Sequence, residues 1–113
     1  MGRPASDKRE RLVFSAIEQF HQNGYARTSL VDVAKAADLS AGNVFYYFKA
    51  KDDLARAVID EWCARLARYL AVLEEQTDDP RRRLHAFVEQ AHILSESYVT
   101  LGCPLAGLTR DLR

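Results

Sequence analysis

Cysteine is scarce in this chain: Cys63 and Cys103 are the only two in 113 residues. Two are too few for a disulfide framework, and they show no metal-ligand spacing. Both are expected as buried, inert thiols, since a reactive one needs an electropositive setting. No apolar run approaches the ~18 residues needed to span a membrane. The opening stretch MGRPASDKRERL contains no apolar segment of the kind a secretory signal needs, so a cytoplasmic location is expected. Catalytic signatures are missing too. There is no glycine-rich phosphate loop, no nucleophile–base spacing and no acidic pair flanked by turns. Neither an enzyme nor a cofactor is therefore expected. Strand alternation and internal repeats are also absent.

What is present is helical periodicity, in a chain 48% apolar and so able to fold around a core. The length suits one small domain, or one with part of a second. Leu12, Val13, Ala16, Ile17 and Phe20 recur on one helical face, predicting an amphipathic first helix over 6–22. Gly24 suits the left-handed residue that ends it. Ser29, with Asp32 three residues on, reads as a capping box for a short second helix whose inner side is Leu30, Val33, Ala34 and Ala37. Ser40 caps a short third helix, from 41 to about 48. Asp52 and Asp53 favour the start of a fourth, with an inward stripe of Leu54, Val58, Trp62, Leu66, Tyr69 or Leu70, and Leu73. QTDDP ends it. Pro80 opens a fifth, with Leu84, Phe87, Val88, Ala91, Leu94 and Tyr98 inward. Gly102 ends that helix and Pro104 begins a sixth. The expected fold class is all-α, a three-helix bundle followed by long helices.

The net charge is zero but unevenly spread. Residues 1–51 hold eight basic and five acidic side chains, a net +3, so the remainder carries −3. A polyanionic partner would meet the N-terminal half. The same half contains DLSAGNVFYYFKAKDDL, in which Phe45, Tyr46, Tyr47 and Phe48 stand in line. Successive helical residues are turned by about 100°, so the four cannot all face one core. Two short helices joined by a tight turn make a helix-turn-helix, whose second helix enters a DNA major groove. Ala41, Asn43, Tyr46 and Tyr47 would then face base edges and phosphates. Ala41 and Gly42 would let the backbone approach, and Phe48 would turn back to the core. Asn43 carries both the donor and the acceptor needed to read adenine.

From Thr28 to Leu54, TSLVDVAKAADLSAGNVFYYFKAKDDL resembles the DNA-binding signature of TetR/AcrR-type transcriptional regulators. That signature runs A-x-x-A-G-V-S-x-G-x-x-Y-x-x-F-x-x-K-x-x-L, a short way after a threonine. Thr28, Ala34, Ala37, Leu39, Ser40, Gly42, Phe48, Lys51 and Leu54 stand at matching places. The resemblance covers roughly residues 9–73 and loosens beyond. It departs at Asp38, where the family has glycine, although aspartate tolerates the left-handed conformation better than most residues. It departs again at Phe45, where the family has tyrosine, which removes one expected phosphate contact.

The resemblance implies a helix-turn-helix DNA-binding domain over 1–51 and, over 52–113, the start of a helical ligand-binding and dimerisation domain. It implies phosphate binding by Thr28 or Ser29 on one side of the groove and by Tyr47 and Lys51 on the other. Ser40, Ala41, Gly42, Asn43 and Tyr46 complete the expected DNA-binding set. An effector pocket would involve Trp62, Leu66, Phe87 and Tyr98, residues that serve equally as inter-helix core. The implied partners are double-stranded DNA with a near-palindromic operator, a small-molecule effector and a second copy of a longer chain. The implied activity is repression, relieved when the effector shifts the fourth helix. Family members carry several more helices than 113 residues hold. The chain is therefore expected as a fragment of a longer homodimer rather than a natural minimal version, with Leu94, Tyr98, Leu105, Leu108 and Leu112 partly uncovered.

Plainer readings stand beside several features. Arg3, with Lys8, Arg9 and Arg11, suits an arm in the minor groove; Arg3 suits a solvated tail equally, while Lys8 to Arg11, on the first helix, could still touch phosphate. His85, Glu89 and His92 share a helical face, and a solvated polar face is expected there rather than a metal site. The run Arg81, Arg82, Arg83 is expected to be exposed. The competing function is a helical protein-interaction module without DNA specificity. Such a module would place apolar or oppositely charged residues where Asn43, Tyr46, Tyr47 and Lys51 stand.

Overall fold

The computed structural model describes residues 5–112, and every regular element among them is a helix. The helices are α1 (Ala5–Asn23), α2 (Leu30–Ala36), α3 (Ala41–Tyr47), α4 (Lys51–Gln76), α5 (Pro80–Ile93), α6 (Ser95–Leu101) and α7 (Pro104–Asp111). Arg3, considered above as a minor-groove arm, lies outside the described residues.

Local chemistry sets the first boundaries. Gly24 takes φ 84°, and its N–H reaches the Phe20 carbonyl to close α1. The Ser29–Asp32 capping box forms as the spacing predicts: the Ser29 hydroxyl accepts from the Asp32 N–H, and the Asp32 carboxylate accepts from the Ser29 N–H. Ser40 accepts from the Asn43 N–H at the start of α3. Between these helices Asp38 is the one non-glycine residue with positive φ among those described, at 57°. It occupies the turn position for which glycine is the unstrained choice.

One core joins the first four helices. Leu12, Val13, Ala16, Ile17 and Phe20 from α1 meet Val33 and Ala34 from α2, then Val44 and Phe48 at α3. The beginning of α4 adds Leu54, Ala55, Ala57 and Val58 to the same cluster. Polar links fix the packing angle. Ser15, buried, donates to the Val33 carbonyl at 2.9 Å, and the Arg11 guanidinium donates to the Ala37 carbonyl at 2.6 Å. The Thr28 hydroxyl, in a residue only 2% exposed, lies within reach of two carbonyls, Gly24 at 2.8 Å and Gln19 at 3.2 Å.

The C-terminal part differs from expectation in four places. The fifth helix stops at Leu94 and a separate short α6 follows; neither Pro nor Gly stands there to account for the break. The expected inward stripe of α5 is open to solvent: Leu84, Phe87, Val88 and Leu94 are exposed, because no described element covers that face. The α5 helix is held instead by its edges, through the Tyr69 hydroxyl on the Ala86 carbonyl and through Arg83, which donates to the Thr77 and Glu74 carbonyls at the end of α4. Leu108, expected uncovered, is buried against the core, because α7 folds back onto α1. Both cysteines are exposed rather than buried. Cys63 lies beside, not on, the stripe of Leu54, Val58 and Trp62, and Cys103 sits in the connection that precedes α7.

Two stability measurements follow from these contacts. Thr28→Val keeps the shape but leaves the Gly24 and Gln19 carbonyls without that donor. The loss expected from the urea midpoint is about 1–2 kcal/mol, with Thr28→Ser milder. Asp38→Gly should be neutral or stabilising, whereas Asp38→Val should cost about 1–2 kcal/mol, because a β-branched side chain is forced into the left-handed region.

Candidate nucleic-acid interface

The α3 helix has seven residues, too few to be stable alone, so its orientation comes from its anchors. Val44 is fully buried and Phe48 is 3% exposed. The Phe48 N–H closes the helix on the Val44 carbonyl at 2.8 Å. With those two turned inward, the 100° rotation per residue turns Gly42 and Tyr46 outward, and Phe45, at the side, is exposed as well. Tyr46 is 72% exposed and Phe45 47%. Ala41, Asn43 and Tyr47 lie at the margin, half-buried. Tyr47 packs against the core while its ring meets that of Tyr46 edge-on, with centroids 4.9 Å apart. The result is an exposed ridge of glycine and aromatic rings on a helix pinned from behind.

Gly42 is not required by packing. A Cβ built there would meet nothing closer than the Ser40 Oγ at 3.7 Å, an ordinary contact. Asn43 has a second task, since its Nδ2 donates to Ser40 Oγ at 2.9 Å. One amide hydrogen and the side-chain carbonyl remain for a base edge. Ser40 accepts from both the Asn43 backbone and the Asn43 side chain, so its hydroxyl organises the helix start.

The expected phosphate-binding residues are distributed unequally. Thr28 is buried, with its hydroxyl directed at backbone carbonyls, whereas Ser29 is exposed. Beside Ser29 the Asp32 carboxyl is held below its usual range, first by the Ser29 N–H and then by the Ser29 hydroxyl. An open groove of about 450 Å³ runs along this edge, lined by Arg27, Ser29, Val31, Phe45 and Lys51 among others. Lys51 is half-buried, and its ammonium donates to the Tyr25 carbonyl and lies 4.1 Å from the centroid of the Tyr25 ring. The Tyr25 hydroxyl donates to the Asp52 carboxylate. Burial, then that hydrogen bond and the Asp52 charge, push the Tyr25 phenol up to about 12, so it stays neutral. On α1, the Arg9 guanidinium lies 5.2 Å from the Phe48 ring centroid. Arg27 and Tyr25 were passed over in the sequence reading of the site. Their signal was the segment GYARTS between the first two helices, where an aromatic and a cation flank the second-helix cap.

The residues expected at an effector pocket are not brought together in a cavity. Trp62 is half-buried on the shared core, with the Arg65 guanidinium 5.4 Å from its ring. Leu66 is exposed, Phe87 is exposed beside Tyr69, and Tyr98 is half-buried on α6. A cavity of about 130 Å³ lies elsewhere, between the end of α1 and α7, lined by Phe20, Tyr25, Cys103, Gly107, Leu108 and Arg110 among others. His85 and Glu89 form an exposed pair at 3.5 Å, and no cluster among the described residues could hold a metal. No described helix is long and apolar enough to cross a membrane.

Residues 12–58 match the family model of bacterial regulatory proteins, tetR family. That span runs from the α1 core face to Val58, the limit of the cluster that α1–α4 share. The chain is 35% identical over 86 residues to the HTH-type transcriptional regulator BetI of Stenotrophomonas maltophilia, covering 73% of this chain and 42% of that protein. It is 36% identical over 66 residues to the HTH-type transcriptional repressor ComR of Escherichia coli, covering 58% and 31%. With the HTH-type transcriptional regulator TtgR of Pseudomonas putida it shares 32% identity over 56 residues, covering 50% and 27%. The chain thus spans less than half the length of these relatives. The buried side of Val44 and Phe48, the outward aromatic ridge, the two capped short helices and the family match over the same residues agree: residues 12–58 form a domain of the tetR family of bacterial regulatory proteins.

Proposed function

We propose that this chain binds double-stranded DNA sequence-specifically, with α3 in the major groove, as the reading head of a longer homodimeric transcriptional regulator in the cytoplasm. The observation that carries the reading is the outward face of α3. Gly42, Phe45 and Tyr46 stand free of the core, Asn43 keeps an open donor and acceptor, and Val44 and Phe48 hold the helix rigid behind them. Exposed aromatic rings alone would serve a protein interface equally; the open amide and the small residues beside them favour DNA. Here small and aromatic residues surround one amide, a set suited to close approach, sugar and thymine-methyl contact and adenine reading. The direction of regulation follows the family's usual pattern: repression, with release by a small-molecule effector acting on the later helices. Two such heads in a dimer would meet half-sites about 34–36 Å apart, or a multiple of that, and so read a near-palindrome.

Two substitutions test the assignment against the interaction-module alternative. Asn43→Ala should relax base preference at one half-site position, costing about 1–3 kcal/mol there, as read by binding to a randomised duplex pool. An unchanged preference profile would remove Asn43 as a reader. Gly42→Leu should leave the thermal midpoint unchanged or raised, since the site has room and leucine is the better helix former. It should abolish duplex binding in fluorescence anisotropy, because the added bulk stands on the face that must approach the groove. Retained binding would place the interface elsewhere.

A further inference from the structure

Lys51 opens α4 at the lip of the groove that also holds Ser29 and Phe45, yet its ammonium is not simply projected into solvent. It makes two contacts with one residue, a hydrogen bond to the Tyr25 carbonyl and a position 4.1 Å from the Tyr25 ring centroid. Tyr25 is in turn fixed at two points. Its hydroxyl donates to Asp52, the residue after Lys51. Its ring meets Phe20 of the core edge-on at 5.2 Å. It also walls the cavity against α7. We propose that Tyr25 is a positioning residue that holds the Lys51 ammonium at the groove lip, oriented for a DNA phosphate.

The chemistry of the ammonium supports this. It has three hydrogens. The Tyr25 carbonyl takes one and the ring face attracts the positive end, which leaves a hydrogen for a phosphate oxygen. A free lysine gives up rotamer entropy when it is ordered. A lysine already clamped in the free protein gives up less on binding. The ring supplies attraction without competing charge, because the phenol stays neutral. The Asp52 carboxylate accepts from the Tyr25 hydroxyl, which holds the ring beside the ammonium. The role rests on the DNA-binding reading above, and the experiment separates the two.

The probe is a short mixed-sequence duplex, whose binding depends on phosphate contacts, titrated by fluorescence anisotropy across a salt series with the 113-residue chain. Lys51→Ala should lower the slope of log K against log salt by about one. Tyr25→Leu should weaken binding by roughly two- to fivefold, the ratio a part-exposed cation–π contact corresponds to. Tyr25→Phe, which keeps the ring but loses the hydrogen bond to Asp52, should weaken binding less than Tyr25→Leu does. In the Lys51→Ala background, Tyr25→Leu should change nothing further. Independently of DNA and of how well Tyr25→Leu folds, the ring should shift the Lys51 ε-methylene protons upfield in the NMR spectrum of the unmutated chain, and this shift should persist in Tyr25→Phe. Equal weakening by Tyr25→Leu with and without Lys51 would show Tyr25 to be merely structural, and lysine ε-protons without the upfield shift would show that the clamp is absent; either overturns the proposal. Failure of the unmutated chain to bind the duplex at any salt would overturn the DNA reading itself, and this role with it.

Discussion

The apolar face of α1 is the surface on which the rest of the molecule is assembled. Leu12, Val13, Ala16, Ile17 and Phe20 form one strip, and α2, α3, the start of α4 and α7 all pack against it. Neither α2 nor α3 has more than seven residues. Isolated helices of that length do not persist in water, so both exist because α1 covers them. The Ser15–Val33 and Arg11–Ala37 hydrogen bonds then fix α2 in rotation as well as contact. Removing apolar area from water supplies the attraction, and these directional bonds choose one packing arrangement among several.

The angle of α3 follows from that assembly. Its two anchors, Val44 and Phe48, are four residues apart and so lie on one side of the helix. Everything between and beside them is therefore presented outward or to the margin. The anchors send Phe48 into the core and Tyr46 away from it; Phe45 and Tyr47 lie to either side, and the packing of neighbouring elements leaves Tyr47 against the core and Phe45 exposed. The same logic explains why Gly42 has free space around it, since it stands on the side away from the anchors.

Several polar groups at the interface serve the fold before they can serve a ligand. Ser40 and Ser29 organise helix starts, Thr28 tethers the loop, and Lys51 rests on Tyr25. A group with unused hydrogen-bonding capacity can do both. Ser29 and Lys51 retain such capacity at the surface, while Thr28 has turned its hydroxyl inward. The proposed DNA-binding face is thereby stiffened by the residues that border it, which would lower the ordering cost of meeting a rigid polyanion.

The sequence by itself determined the starts and stops of the first four helices and the inner faces of α1, α2 and α3. Those features are written in near-neighbour chemistry: a cap three residues from its partner, a glycine or aspartate at a left-handed turn, an apolar residue every three or four positions. The outward placement of Tyr46 and the inward turn of Phe48 were legible for the same reason. Only the tertiary structure decided which of two adjacent hydroxyls faces solvent, Thr28 or Ser29, because Thr28 is buried where the loop folds back on α1, with the Gln19 carbonyl in reach of its hydroxyl beside the nearby Gly24 carbonyl. It also decided that Lys51 sits on Tyr25, 26 residues away in sequence. The stripe of α5 was as periodic as that of α1, yet it stays open while Leu108 is buried. Periodicity states which residues could share a face, but burial requires a second surface to close over them, and that depends on where distant elements come to rest.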